Sequence, residues 1–143
     1  LGGYPYQTFG DSDPAVQFAN GRFGRWEGSI TAIDVGTGKV VFKHMTPFPQ
    51  NGGLLATAGG LVFSGHMEGA VAAHDARDGT ELWRFDVGAG INAPPMSFEA
   101  EGRQYIAIEV GYGGAQEQWN NDIHPEMWLS NTSNVLYVFG LHN

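Results

Sequence analysis

The chain has 143 residues, 42% of them hydrophobic, and its 22 glycines with only 15% charged residues favour turn-rich β structure over helices or disorder. The net charge of −8, with few and scattered basic residues, argues against nucleic acid as a partner, because phosphate binding requires a clustered basic face. The absence of cysteine excludes a disulfide framework, a thiolate metal site and a catalytic thiol within this chain, and no apolar run approaches the ~20 residues of a membrane-spanning helix.

Residues 1–27 are predicted to form an irregular lead-in segment. Glycine, proline and polar residues interrupt every apolar pair in this stretch, so neither a helix period nor a strand period is sustained. The chain begins at Leu1, with no initiator methionine and no basic leader, and we therefore expect a processed product or a piece of a longer protein.

Regular structure is predicted from residue 28 onwards. Residues 29–35 and 39–45 read as two strands joined by a tight glycine turn, which is a β-hairpin. The next ordered stretch, residues 52–87, consists of short apolar runs separated by turn residues and predicts an antiparallel meander. Its three strands are expected at 61–63, 69–74 and 81–87, with a fourth strand supplied from outside the stretch.

The hairpin and the meander share one pattern at a constant offset of 41 residues. The matching pairs are Asp34 with Asp75, Gly38 with Gly79, and Phe42 with Trp83. An aspartate that ends a strand accepts hydrogen bonds from the following turn, and a glycine four residues later supplies the positive φ that reverses the chain. An aromatic side chain four residues further on can fill the space between neighbouring sheets. A repeat of about 40 residues built of short strands is typical of the blades of a β-propeller.

A third, partial copy of the repeat follows the meander. Strands are predicted at 97–100 and 103–110, and a last strand lies within 134–141. Residues 115–133 break the pattern and are predicted to be an insertion, which on a rigid scaffold is a common place for function. Residues 28–143 are therefore predicted to form a partial β-propeller. Its blade repeats are expected near 28–69, 70–114 and 134–141.

Two strings of this sequence carry a family resemblance. They are GGLLATAGGLVFSGHMEGAVAAHDARDGTELWRF at 52–85 and GAGINAPPMSFEAEGRQYIAIEVGYGG at 88–114. Both resemble the carboxy-terminal part of the pyrroloquinoline-quinone (PQQ) dependent alcohol and methanol dehydrogenases, the quinoprotein dehydrogenase family, and the likeness runs over residues 28–141. The resemblance implies an all-β fold comprising the last two to three blades of an eight-bladed β-propeller with tryptophan-type repeats. Another chain or segment would complete that propeller.

The resemblance also implies an activity for the whole enzyme. Enzymes of this kind oxidise an alcohol, or a related hydroxyl or aldehyde, by hydride transfer to PQQ held with a calcium or lanthanide ion. They work in the periplasm and pass electrons to a cytochrome or a quinone. Their catalytic aspartate and metal ligands lie upstream of the part that this chain resembles, so we assign no catalytic and no metal-binding residue here. A larger partner chain carrying the rest of the propeller is expected to supply them.

Two local segments are candidates for contact with PQQ. Gln50, Asn51 and Gly52 stand where relatives often have a tryptophan close to the cofactor, so hydrogen bonding would replace aromatic contact. Tyr112 and Gly113 belong to a glycine-rich turn whose relatives line the inner end of the last blade. Each segment has a plainer interpretation, since Asn-Gly is a favourable turn pair and glycines also permit tight packing.

A second function class stays open on the sequence alone. The chain could belong to a non-enzymatic β-propeller module for protein–protein interaction, built from the same tryptophan-type repeat. The five histidines show no metal-binding spacing and favour neither class. Two or three blades would leave open sheet edges, which tend to pair with other strands, so an isolated monomer is not expected.

Overall fold

The computed structural model describes residues 27–111 and 133–140 of the chain. These two stretches contain nine β-strands and no helix. The strands are β1 (Gly28–Ile33), β2 (Val40–Thr46), β3 (Leu54–Ala56), β4 (Leu61–His66), β5 (Ala70–Asp75), β6 (Glu81–Asp86), β7 (Met96–Ala100), β8 (Arg103–Val110) and β9 (Val135–Gly140). A helix long and apolar enough to cross a membrane is accordingly absent from the described part of the chain.

The strands form three sheets in which every hydrogen-bonded pair is antiparallel. Sheet 1 is the β1–β2 hairpin, sheet 2 has the order β3-β4-β5-β6, and sheet 3 has the order β7-β8-β9. The predicted hairpin and meander are therefore confirmed. The predicted source of the fourth strand of the meander is wrong, because β3 lies inside residues 52–87 and pairs with β4. Three residues are too few to show the alternation that identifies a strand in sequence.

The two turns at offset 41 have the same geometry. The amide of Gly38 donates to the carbonyl of Asp34 at 2.8 Å, and the amide of Gly79 donates to the carbonyl of Asp75 at 2.9 Å. Both glycines have positive φ, 70° and 78° respectively. The register also shifts at the same place in each copy, between Ala32 and Ile33 in β1 and 41 residues later in β5. The sequence repeat is thus a structural repeat.

The two turn aspartates differ in what holds their carboxylates. Asp34 accepts hydrogen bonds from the amide and the hydroxyl of Thr37, each at 2.7 Å, which lower its pKa. Asp75 accepts hydrogen bonds from the Arg77 guanidinium, with Nη2 to Oδ2 at 2.6 Å, and from the Arg77 amide at 2.8 Å. These bonds lower the pKa of Asp75 from 3.8 to about 2. Its carboxylate therefore favours the folded state above pH 3.8, and that contribution is lost as the pH falls through about 2.

The variant Arg77→Ala should raise the pKa of Asp75 from about 2 towards 3.8. The side-chain bonds from Arg77 are the largest cause of the lowered value, and alanine removes them while keeping the backbone amide. A carboxyl-carbon NMR titration measures the shift. Asp34 is the internal control, because its partner is Thr37 and its titration should stay where it is in the unchanged protein. An unmoved Asp75 titration would show that the guanidinium does not set this pKa.

Aromatic side chains connect each sheet to the next. Phe42 of sheet 1 lies on the turn of sheet 2, where a Cβ built on Gly79 would come within 2.5 Å of the Phe42 ring. Trp83 of sheet 2 meets Phe139 of sheet 3 edge to face, with ring centroids 5.0 Å apart and planes at 77°. The predicted role of the aromatic at this repeat position, filling the space between neighbouring sheets, is confirmed. A Cβ on Gly38, by contrast, meets nothing within 4 Å in the described part of the chain.

The main hydrophobic core lies between sheets 2 and 3. It consists of the buried residues Val71, Ala89, Ile91, Ile108 and Val110, with Val87, Tyr137 and Phe139 packed against them. Sheet 1 lies outside this core, and four of its apolar side chains are at least half exposed. These are Ile33, Val40, Val41 and Met45.

The sheets are bounded differently from the predicted blade repeats. Sheet 1 spans 28–46, sheet 2 spans 54–86 and sheet 3 runs from 96 to 140. The strand expected at 134–141 is the third strand of sheet 3, paired with β8. Apart from Glu27 and Ser133, the predicted lead-in at 1–27 and insertion at 115–133 lie outside the described residues, so these domain limits stay a prediction.

Candidate functional site

The first predicted contact segment lies against the end of strand β4. The Gln50 side chain donates a hydrogen bond from Nε2 to the carbonyl of Gly65. Gly52 is buried, and a Cβ placed on it would lie 2.9 Å from that same carbonyl oxygen and 3.4 Å from the carbonyl oxygen of Ile91. Glycine at this position therefore permits a close backbone approach. Asn51 lies between them and is half-buried.

A connecting loop at residues 88–93 joins the two predicted segments. Its Ile91 amide donates to the carbonyl of His66 at 3.2 Å, next to the residue that Gln50 contacts. Ile91 also forms a parallel bridge with Gly111, whose amide donates to the carbonyl of Gly90 at 3.1 Å. The structure therefore links the Gln50 segment to Gly111, two regions that the sequence treated separately. Linear spacing gives no signal for this connection, since 61 residues separate Gln50 from Gly111.

The second predicted segment is only partly described. Tyr112 and Gly113 lie outside the described residues, and Gly111 is their nearest described neighbour. A Cβ on Gly111 would approach the carbonyl oxygen of Ser133 to 2.1 Å, so tight packing already requires glycine there. Tight packing alone therefore explains the glycine at position 111. The contact roles of Tyr112 and Gly113 stay a prediction.

The donor set near Gln50 fits the edge of a ligand rich in carbonyl and carboxylate oxygens. Carboxamide side chains offer N–H donors for such oxygens, and glycines let backbone amides approach closely. Within residues 27–111 and 133–140 there is no group of three His, Cys, Asp or Glu side chains able to hold a metal ion. This part of the chain can contribute hydrogen bonds and shape to a site.

A second polar group, which the sequence did not predict, lies inside sheet 2. The hydroxyl of Ser64 is 2.9 Å from Nε2 of His66 and 3.3 Å from Nε2 of His74. All three side chains are buried, with Ser64 fully inaccessible and each histidine 1% exposed. Ser64 and His66 occupy alternate positions of β4 and so share a face, but His74 joins them only through the β4–β5 register.

Burial dominates the electrostatics of both histidines. It lowers the pKa of His66, although the Glu68 carboxylate, 3.5 Å from Nδ1, opposes that shift. Burial likewise lowers the pKa of His74. The order Ser64, His66, Glu68 has the connectivity of a hydrolytic triad. The seryl oxygen is nevertheless shut off from solvent and substrate, so we interpret the group as a polar core.

Comparisons with known proteins identify relatives of this chain. The family described as PQQ, glucose/ethanol/alcohol dehydrogenase, beta-propeller domain, matches residues 32–106. A quinoprotein ethanol dehydrogenase of Pseudomonas aeruginosa is 48% identical over 96 residues, which cover 67% of this chain and 15% of that protein. A 1-butanol dehydrogenase (cytochrome c) of Thauera butanivorans is 44% identical over 87 residues, covering 61% of this chain and 13% of that protein.

The fold comparison agrees with the sequence comparison. A europium-containing methanol dehydrogenase superposes with a TM-score of 0.68 at 30% identity, covering 84% of this chain and 24% of that chain. The chain thus spans between 13% and 24% of the length of these three relatives. Together the family match and the superposition confirm the predicted β-propeller, of which the chain covers only a part.

Proposed function

The chain belongs to the PQQ-dependent glucose, ethanol and alcohol dehydrogenase family, and from that premise we propose that it forms the carboxy-terminal blades of an alcohol-oxidising quinoprotein. The observation that carries the proposal is the family match over residues 32–106, which runs from β1 into β8. Relatives named for ethanol and 1-butanol support a small alcohol as the substrate class.

The surface of sheet 1 supports assembly with a larger part of the propeller. Its apolar side chains Val40, Val41 and Met45 are each at least half exposed. A group of exposed apolar side chains is typical of a surface that contacts another part of the protein. The Gly38 turn has the geometry of the Gly79 turn, but within residues 27–111 and 133–140 no aromatic ring covers it as Phe42 covers Gly79. A preceding blade, on another chain or segment, would cover both features and would carry the catalytic aspartate and the metal ligands.

Within the complete enzyme, the residues of this chain would contribute orientation. PQQ, when bound together with a calcium or lanthanide ion, supplies an acceptor for the hydride of the alcohol. The Gln50 carboxamide is held by the Gly65 carbonyl and can direct its second N–H to an oxygen of a ligand, and Asn51 offers a further amide beside it. Gly52 and Gly113 would permit close backbone approach, and Tyr112 would complete the wall of the site.

The remaining partners follow from the same premise. We propose a periplasmic enzyme that passes its electrons to a cytochrome or a quinone. The Thauera relative named for cytochrome c supports the first of these acceptors. The net charge of −8 is compatible with recognition of a basic electron-transfer partner through electrostatic steering.

An activity assay on the purified full-length protein that contains these residues tests the proposal. With PQQ and either Ca²⁺ or La³⁺ added, we expect ethanol-dependent reduction of an artificial electron acceptor and absorbance from bound PQQ. Omitting PQQ or the metal ion should abolish the activity. Mass spectrometry of the same sample should find the remaining blades, either on this polypeptide or on a larger chain that co-purifies. A folded, PQQ-free monomer of about 15 kDa would refute the dehydrogenase proposal.

A matched pair of variants in the same assay tests the proposed contact. Gln50→Ala removes the carboxamide next to Gly65, whereas Gln104→Ala removes an exposed carboxamide on β8. We expect weaker PQQ binding only for Gln50→Ala, by roughly five- to tenfold for one hydrogen bond. Equal PQQ affinity in both variants would remove Gln50 from the cofactor site and leave the family assignment intact.

A further inference from the structure

Three histidines form a row across the contact between sheet 1 and sheet 2. His44 of β2 packs on His74 of β5 with ring centroids 4.9 Å apart and planes tilted by 53°. His66 of β4 continues the row, with its ring centroid 6.2 Å from that of His74. Phe42, which covers Gly79, is the next inward-facing residue of β2 on this side. On β2, one phenyl ring and one imidazole ring at alternate positions therefore contact the central sheet.

The Ser64 hydroxyl can bridge the two buried rings only while at least one of them is uncharged. Ser64 has one hydrogen to donate and lone pairs to accept, and it lies between Nε2 of His66 and Nε2 of His74. With neutral rings, the hydroxyl donates to one Nε2 and accepts the N–H of the other. With both rings protonated, each Nε2 becomes a donor, and the hydroxyl hydrogen loses its acceptor within the group.

The charged groups around the row offset one another only in part. Glu68 favours protonated His66, while Arg84 and His74 oppose it, and Glu81 contributes least and favours it. The Glu68 carboxylate is moreover engaged by the Arg84 guanidinium at 3.1 Å.

At His74 the balance also lies against a positive charge. The neighbouring His44 opposes protonation, as does Arg84, whereas the Gly79 carbonyl and Glu81 favour it. Burial outweighs these contributions and lowers the pKa of both His66 and His74. A positive charge on His44 would add repulsion at a ring separation of 4.9 Å.

We infer that this row is an acid-sensitive latch: uptake of protons by the buried His66 and His74 on acidification below about pH 6.5 separates the β1–β2 hairpin from sheet 2. The contact of sheet 2 with sheet 3 stays closed, because it rests on the apolar core around Ile91 and Ile108. A two-stranded hairpin is only marginally stable by itself, so its order depends on its contacts with neighbouring sheets, and the row forms part of its contact with sheet 2. The latch does not depend on the proposed dehydrogenase activity.

The sign of the effect follows from proton linkage. The closed latch holds its buried histidines at a pKa below the ordinary 6.5, so the opened form binds more protons. The closed form is therefore fully favoured above pH 6.5. As the pH falls below 6.5, the equilibrium constant for closure decreases by up to about tenfold per pH unit for each proton taken up. The loss levels off once the closed form also becomes protonated.

Hydrogen–deuterium exchange on the full-length protein tests the inference, with rates corrected for the intrinsic pH dependence of amide exchange. Between pH 7.5 and pH 5.0 we expect protection of the β2 amides to fall at least about tenfold, and protection of the β8 amides to change less than about threefold. Unchanged β2 protection at pH 5.0 would overturn the latch.

Two variants on the same strand sharpen the test. His44→Phe keeps an aromatic ring on His74 but removes the imidazole that opposes protonation of His74, and a phenyl ring also tolerates an imidazolium beside it. We expect a smaller acid-induced loss of β2 protection than in the unchanged protein, because a protonated His74 is then opposed by one group fewer. Lys43→Gln removes an exposed charge from the adjacent residue and should behave like the unchanged protein. The latch is refuted if both variants lose protection to the same extent.

Imidazole NMR titration of the unchanged protein provides a measurement that does not depend on any variant folding. The Cε1–H signals of His66 and His74 should titrate below pH 6.5, and their midpoints should coincide with the loss of β2 protection. Histidines that titrate at ordinary values while β2 stays protected would contradict the proposed coupling.

Discussion

Replacing Gly65 by alanine should lower the free energy of unfolding by about 2–3 kcal/mol. An added Cβ at this position would lie 2.4 Å from Cγ2 of Ile91 and 2.9 Å from Cδ1 of Ile108. Both distances are much shorter than a van der Waals contact between carbon atoms. Because interiors are packed as densely as organic crystals, such an overlap must be relieved by moving side chains or backbone.

The two isoleucines have little freedom to yield. Ile91 is fully buried, Ile108 is 1% exposed, and both belong to the core between sheets 2 and 3. Hydrogen bonds also fix the backbone at Ile91, because the Ile91 amide donates to the carbonyl of His66 and the carbonyl of its neighbour Gly90 accepts from the amide of Gly111. Displacing the connecting loop would therefore disturb the link between the Gln50 segment and Gly111.

Gly59→Ala is the matched control for this prediction. Gly59 is an exposed turn residue, and the nearest atom to its added Cβ is the hydroxyl of Thr57 at 3.9 Å. Its unfolding free energy should change by no more than about 0.5 kcal/mol. Urea unfolding of both variants gives the comparison. If the two variants were equally stable, the contact of sheets 2 and 3 at Gly65 would be looser than the structure indicates.

Local sequence patterns were sufficient to predict the features that lie within one turn or one strand. The Asp34 and Asp75 turns follow from residue types at fixed offsets, and their hydrogen bonds and positive φ angles match that reasoning. The strands of the repeat were predicted to within three residues at each end for the same reason. Strand β3 was not predicted, since three residues carry too little periodicity.

The functional groups depend on contacts that linear spacing does not encode. His44, His66 and His74 come from three strands and meet only after the registers of sheets 1 and 2 are fixed. The link from Gln50 to Gly111 passes through the connecting loop, whose position is set by core packing around Ile91. The sequence could name these residues but could not place them together.

Replacing Gly79 by alanine should cost about 2–4 kcal/mol of unfolding free energy, through two separable effects. The first is backbone strain, because φ is +78° and a left-handed conformation costs an L-residue about 1–2 kcal/mol. The second is overpacking, because the Cβ would lie 2.5–2.9 Å from three ring atoms of Phe42. Thermal or urea unfolding measures the sum.

A double-mutant cycle with Phe42→Ala separates the two effects. In the Phe42→Ala background, the ring is gone and only the backbone strain of Gly79→Ala remains. We therefore expect a coupling energy of about 1–2 kcal/mol between the two positions. A coupling near zero would mean that the phenyl ring does not press on the turn.

Gly38→Ala extends the same reasoning to the proposed neighbouring blade. Gly38 has the same turn and a φ of +70°, but no atom of the described chain lies within 4 Å of its added Cβ. Backbone strain alone would cost about 1–2 kcal/mol. If a preceding blade places an aromatic side chain on this turn, as Phe42 is placed on Gly79, the cost in the full-length protein should rise to that of Gly79→Ala. We expect Gly38→Ala to cost as much as Gly79→Ala in the full-length protein. The repeat turn is exposed and lies beside exposed Val40 and Val41, and an apolar surface of this kind is typical of an interface.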